Sequence, residues 1–80
     1  MLLNNGDHHT INELFEQLGL DSSDEAIEQF IADNQLPEDV PLNEAPFFSE
    51  SQRNFISEAW KMDAVFVMAV EELNARIHGN

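Results

Sequence analysis

SESQRNFISEAWKMDAVFVMAVEELNARI, Ser49 to Ile77, is the longest periodic stretch of the chain, and its reading decides the fold. On a helical wheel Phe55, Ala59, Met62, Phe66, Ala69, Val70, Leu73 and Ile77 fall on one stripe, the i, i+3, i+4, i+7 pattern of an amphipathic helix. Trp60 and Val67 lie off that stripe and Ile56 at its margin; with Met68 they make a second apolar strip. No Gly or Pro interrupts the stretch, yet a single helix of about thirty residues is far longer than usual. The spacing therefore allows either one long C-terminal helix or two with a bend near Met62 and Asp63, where Asp63 would cap the second. The broken form is favoured.

Working outward, the composition bounds what such a helix can pack against. Eighty residues make one domain, and at this size a single core supplies only about 3 to 5 kcal/mol unless something else staples the fold. There is no cysteine, so neither a disulfide nor a thiolate metal site contributes. Sixteen Asp and Glu against three Lys and Arg give a net charge of −13. The charge is uneven: residues 1–52 hold twelve acids and no Lys or Arg, whereas residues 53–80 set Glu58, Asp63, Glu71 and Glu72 against Arg53, Lys61 and Arg76, a net −1. Such a surface repels phosphate backbones and anionic lipid, which argues against direct nucleic-acid or membrane binding. The start, MLLNNGD, lacks the basic and apolar regions of a secretory signal, and the longest apolar run, Ala64 to Val70, is too short to span a bilayer. A cytoplasmic location is the expectation.

Residues 1–9 show no periodicity and are expected to form a flexible tail ahead of a single helical domain over residues 10–80. Thr10 and Glu13 spell a capping box, followed by Ile11, Leu14, Phe15 and Leu18 on one face and Gly19 at a left-handed C-cap. Ser22 and Glu25 spell a second box, with Ile27, Phe30 and Ile31, helped by Ala26, as the buried ridge and Asn34 as its end. These two short helices, joined by a tight turn, predict a hairpin. From Gln35 to Phe48 three prolines, Pro37, Pro41 and Pro46, deny backbone donors, so no regular helix is expected. Leu36, Val40, Leu42, Phe47 and Phe48 are nevertheless too apolar for a free linker, which predicts an ordered cover over the core. Ser49 with Gln52 then opens the long segment.

In this order, HTINELFEQLGL (9–20), DEAIEQFIA (24–32) and EAPFFSESQRNFISEA (44–59) resemble the short bacterial proteins grouped as domain of unknown function 2789. In that pattern a tryptophan often follows APF, where this chain has Phe48, and a proline often precedes the serine of the turn, where it has Asp21. The resemblance implies a compact all-α protein and brings no activity or catalytic residues with it.

Three motifs bear on chemistry. GLDSSD, Gly19 to Asp24, matches the G-x-D-S-x-D of acyl carrier proteins, whose serine carries phosphopantetheine; that alternative places the group on Ser22. Here, however, the preceding helix is barely two turns and the downstream layout differs, and turn-forming residues collect at any helix start. A plain N-cap is the favoured reading. Asp7, His8 and His9, with His78 from the other end, carry metal-ligand chemistry, but no i, i+4 histidine pair or HExxH motif organises them. The reading preferred there has His9 pack near Leu14 as a hydrophobic staple, with no metal and no cofactor. Glu13, Glu16, Glu25 and Glu28 fall on exposed faces rather than in a buried pair suited to acid/base work, and Ser49, Ser51 and Ser57 have no His nearby in sequence. No catalytic residue is indicated.

The strip of Ile56, Trp60, Val67 and Met68 remains. Either the proline-rich segment and the hairpin cover it within one chain, or a second chain does. The near-neutral charge of the last segment, the enrichment of Trp and Met at interfaces and the smallness of the core favour the second. The sequence thus leads to a non-enzymatic protein-interaction module, a two-fold homodimer through its C-terminal region, with an acidic front open to a basic protein partner. Acidic mimicry of nucleic acid is a further alternative resting on charge alone.

Overall fold

A computed structural model describes residues 10–62 and 65–79, and its first helix begins and ends on chemistry visible in the sequence. Thr10 Oγ1 accepts the Glu13 N–H at 3.2 Å while the Glu13 carboxylate accepts the Thr10 N–H at 2.9 Å, a reciprocal cap ahead of α1 (Ile11–Gln17). At the other end the Leu20 N–H donates to the Phe15 carbonyl at 2.9 Å and the Gly19 N–H to that of Glu16 at 3.0 Å, a Schellman closure. It requires Gly19 at φ +77°, a region that L side chains enter only with strain. Ile11, Leu14, Phe15 and Leu18 are all buried, the face that the spacing predicts.

The start of α2 (Asp24–Asp33) corrects the expected cap by one residue. Ser23, not Ser22, is the N-cap: its Oγ accepts the Ala26 N–H at 3.2 Å. Asp21 Oδ1 accepts the Ser23 N–H at 3.0 Å, and the Asn12 side-chain amide donates to the Ser22 carbonyl and to Asp24 Oδ1, each at 2.8 Å. Either serine can cap, so ties from Asp21 and from α1 decide the register. With Ala26 at the third helical position no carboxylate returns the bond, and Glu25 instead joins Asp24 near the positive end of the helix dipole. Asn34 ends the helix, and its side chain donates to the Phe30 carbonyl at 2.8 Å. Ile27 and Ile31 are buried and Phe30 half-buried.

Between α2 and α3 the backbone is irregular apart from a 3-10 turn, Leu42–Glu44, which follows Pro41. A turn this short needs only i→i+3 bonds, so it tolerates a proline where a longer helix would not. Leu36, Leu42, Ala45 and Phe48 are buried. Phe48 stacks on Phe30 at a ring separation of 5.9 Å, Phe47 lies 4.8 Å from Phe48, and Phe30 meets Phe15 edge-on at 5.3 Å, so one aromatic row joins α1, α2 and this segment.

The long stretch forms two helices, α3 (Glu50–Met62) and α4 (Val67–Ile77). Asp63 lies outside the described residues, and so does its expected role as a cap. Ser49 and Gln52 form the capping box of α3 as expected, with bonds of 3.1 and 2.8 Å. The break changes which side of α3 is inside. A continuous wheel assumes about 100° per residue throughout, and that phase is lost at the turn. Accordingly α4 buries its expected Ala69, Val70, Leu73 and Ile77 behind buried Phe66, whereas α3 buries Ile56 and Ala59, leaving Phe55 half-buried and Met62 83% exposed. Helix α4 contacts α1, α2 and α3 and forms the wall on which the others pack. Among the described residues there are four α-helices and no strand.

A built Cβ on Gly19 meets no atom within 4 Å, so a substitution there tests backbone strain alone. Gly19→Ala is expected to lower the unfolding free energy by about 1 kcal/mol, measured by urea denaturation, with the slope m unchanged.

Candidate binding surfaces

The two flanks of α3 present different surfaces, and the expected apolar strip divides between them. Ile56 is 0% exposed, held in the core by the turn of α3's inner face, so it is unavailable to a second chain. Trp60 and Val67 are half-buried, and Met68 is 57% exposed. Met68 is not isolated. Met62, at the last turn of α3, and Val65, between the helices, are also exposed, which gives the α3–α4 corner an apolar rim. Met62 continues into a groove of about 340 Å³ along α3 that it lines with Phe55, Glu58 and Ala59. Phe55 is fixed there by an edge-on contact with Phe66 at 5.6 Å.

On the other flank Trp60 lines a cleft of about 400 Å³ with Glu38 and Pro41 from the proline-containing segment and Asn74, Ala75 and His78 from the end of α4. His78 joins those two elements. Its Nδ1 lies 2.6 Å from the Asn74 carbonyl and its Nε2 2.7 Å from that of Val40. The Leu36 N–H adds a bond of 2.9 Å to the Ile77 carbonyl, and the Gln35 side-chain amide donates to the carbonyls of Ile31 and Arg76 at 2.8 and 3.2 Å. The cleft wall is therefore set by hydrogen bonds, not by packing alone.

These contacts bear on the candidate chemistry. Both ring nitrogens of His78 face carbonyl oxygens, which leaves neither free for a metal; Asp7, His8 and His9, with the proposed staple, lie outside the described residues. No group of three metal-ligating side chains occurs among the described residues. Glu16, Glu25 and Glu28 are exposed and Glu13 half-buried in its cap, and no described polar or charged side chain is buried. Ser49 is a cap, and Ser57 Oγ accepts from the Asn43 amide at 2.8 Å, a group that cannot serve as a base. Ser22 stands half-buried one residue before the N-cap, its carbonyl held by Asn12.

Sequence reasoning missed Met62 and the cleft. Met62 counts as core only if the helix is continuous, and nothing in its neighbours marks it as exposed. The cleft depends on Glu38 and Pro41 meeting Trp60 through the chain's return over α4, which no local pattern encodes.

These features define a small all-α protein with a groove along α3, a cleft beside Trp60 and, among its described residues, no buried polar side chain. The chain belongs to the family described as protein of unknown function DUF2789, whose model matches residues 5–77. It is similar to protein CV0237 from Chromobacterium violaceum, known from a solution NMR structure: 37% identity, a TM-score of 0.80, and coverage of 88% of this chain and 89% of that one. No protein of curated function matches it. No described helix is long and apolar enough to cross a membrane.

His78 ties α4 to the 36–41 segment: whichever ring nitrogen carries the proton donates to the carbonyl it faces, Asn74 or Val40, and removing the imidazole removes that bond and the packing of the ring between them. His78→Ala is expected to cost about 1–2 kcal/mol of unfolding free energy, read by urea denaturation, with faster hydrogen exchange at the Leu36 N–H as the local signature.

Proposed function

We propose that this protein is a non-enzymatic binding module that self-associates through the α3–α4 corner and offers its acidic N-terminal half to a basic partner. The observation that carries the reading is the exposed rim of Met62, Val65 and Met68. Met62 ends α3 and Met68 lies in the first turn of α4, and their exposed, flexible, polarizable side chains suit adaptable contacts. The rim also lies in residues 53–80, whose net charge is only −1, against −12 for residues 1–52. Two copies meeting there bring the fewest like charges together, and a two-fold arrangement lets the rim of one protomer face that of the other. Val67, being half-buried, supplies less new contact area there than Met68, whereas Trp60 lines the cleft on the other flank of α3 and Ile56 is enclosed in the core.

Sedimentation across a dilution series tests this. The expected result is a reversible monomer–dimer equilibrium that tightens as salt rises, because salt screens the repulsion between two strongly acidic chains. The double variant Met62→Glu, Met68→Glu is expected to be monomeric throughout with an unchanged circular dichroism spectrum. A wild-type chain that stays monomeric at every concentration, or a variant that associates as before, would refute self-association at this corner.

A further inference from the structure

We infer that the Trp60 cleft is an anchor site for an arginine side chain of a basic partner; this rests on the reading of the chain as a binding module for such a partner, but not on its self-association. The cleft combines an indole, a proline ring and two polar groups with nothing to hold. Neither the Glu38 carboxylate nor the Asn74 side-chain amide has a hydrogen-bond or ion-pair partner among the described residues. His78, the other polar residue of the wall, has both nitrogens engaged and shapes the cleft without competing for a ligand. What fills such a space must satisfy an anionic acceptor and an amide while covering an aromatic face. An apolar ligand would strip water from Glu38 and Asn74 without replacing it, and an anion would meet both Glu38 and the field of a −13 chain. A guanidinium fits each demand. Its plane stacks on the Trp60 indole, its forked N–H groups donate to the Glu38 carboxylate and to Asn74 Oδ1, and its aliphatic stem lies against Pro41. A lysine ammonium would reach Glu38 but has no flat face for the indole.

The chain contains one tryptophan, so the Trp60 indole N–H signal is unambiguous in a nitrogen-15 NMR spectrum. The full chain would be titrated with the capped peptide Gly-Arg-Gly and, separately, with its citrulline counterpart, which keeps the shape and loses the charge. The expected result is saturable movement of the Trp60 indole and Asn74 side-chain signals with the arginine peptide, at least about tenfold weaker with citrulline and in Glu38→Gln. The rest of the Glu38→Gln spectrum should stay in place, since Glu38 is exposed. Equal response to both peptides, or undiminished binding to Glu38→Gln, overturns the proposal. Saturable arginine-dependent shifts confined to α1 and α2 overturn the cleft while leaving an acidic docking front. No saturable shift anywhere removes both the cleft and the basic-partner reading.

Discussion

Every helix of this fold must satisfy the carbonyls at its C-terminal end, and before Arg53 the chain contains no Lys or Arg with which to do it. Neutral donors take that role. The Gln52 amide, whose oxygen already caps α3, donates from its nitrogen to the Leu18 carbonyl at 2.8 Å and so fixes the start of α3 against the end of α1. Asn34 and Gln35 close the end of α2, and Gln35 reaches on to the Arg76 carbonyl near the end of α4. Because Gln52 and Gln35 each bridge two elements, the requirement that ends short helices also sets how they dock. Of the three cations, Arg53 donates to the Phe48 carbonyl ahead of α3, and Arg76 pairs with Glu28 of α2 and Glu72 of its own helix. Those exposed ion pairs contribute little by themselves. Only the Arg76–Glu28 pair crosses between helices, from α4 to α2.

With the ends fixed, the core follows from short apolar faces that none of the helices could hold alone. An isolated helix of seven residues, the length of α1, is not stable in water. Leu14 and Phe15 become structural only against α4, whose Val70, Leu73 and Ile77 are fully enclosed. The segment after α2 adds Leu36, Leu42, Ala45 and Phe48 to the same core, and its carbonyl at Val40 is one of the two that hold His78. Thus the proline-containing stretch belongs to the core and also builds one side of the cleft.

The parts legible in the sequence are those decided within a few residues. The Thr10–Glu13 and Ser49–Gln52 boxes, the glycine at the α1 C-cap, the Asn34 end of α2 and the buried faces of α1 and α4 all depend on spacings no longer than a helical turn. Two features were not local. At Asp21-Ser22-Ser23 the sequence permits a cap at either serine, and the distant Asn12 amide fixes the register. Along α3 the face that turns inward depends on where the helix stops and how the chain re-enters at Val67, so Ile56 and Met62 exchange the positions that a continuous wheel gives them. The second apolar strip of a continuous wheel is therefore not one surface in the structure. Its members part into core, cleft and rim once the phase is broken.

That partition matches the proposed reading of an acidic binding module. Net charge concentrated in residues 1–52 gives the molecule a long-range preference for cations while opposing its own aggregation. Short-range contact then requires places where apolar or aromatic area is presented with few like charges. In the proposed dimer, the corner around Met62 and Met68 is that place for a second copy. The Trp60 cleft is such a place for a cation, because one wall, Glu38 and Pro41, comes from the acidic half and the other, Trp60, Asn74 and His78, from the near-neutral half. A basic partner drawn by the first half would be gripped only where the second half supplies a flat aromatic surface. Attraction and selection then reside in different parts of the sequence, and the Leu36 N–H bond to the Ile77 carbonyl, with His78 Nε2 against the Val40 carbonyl, holds those parts together.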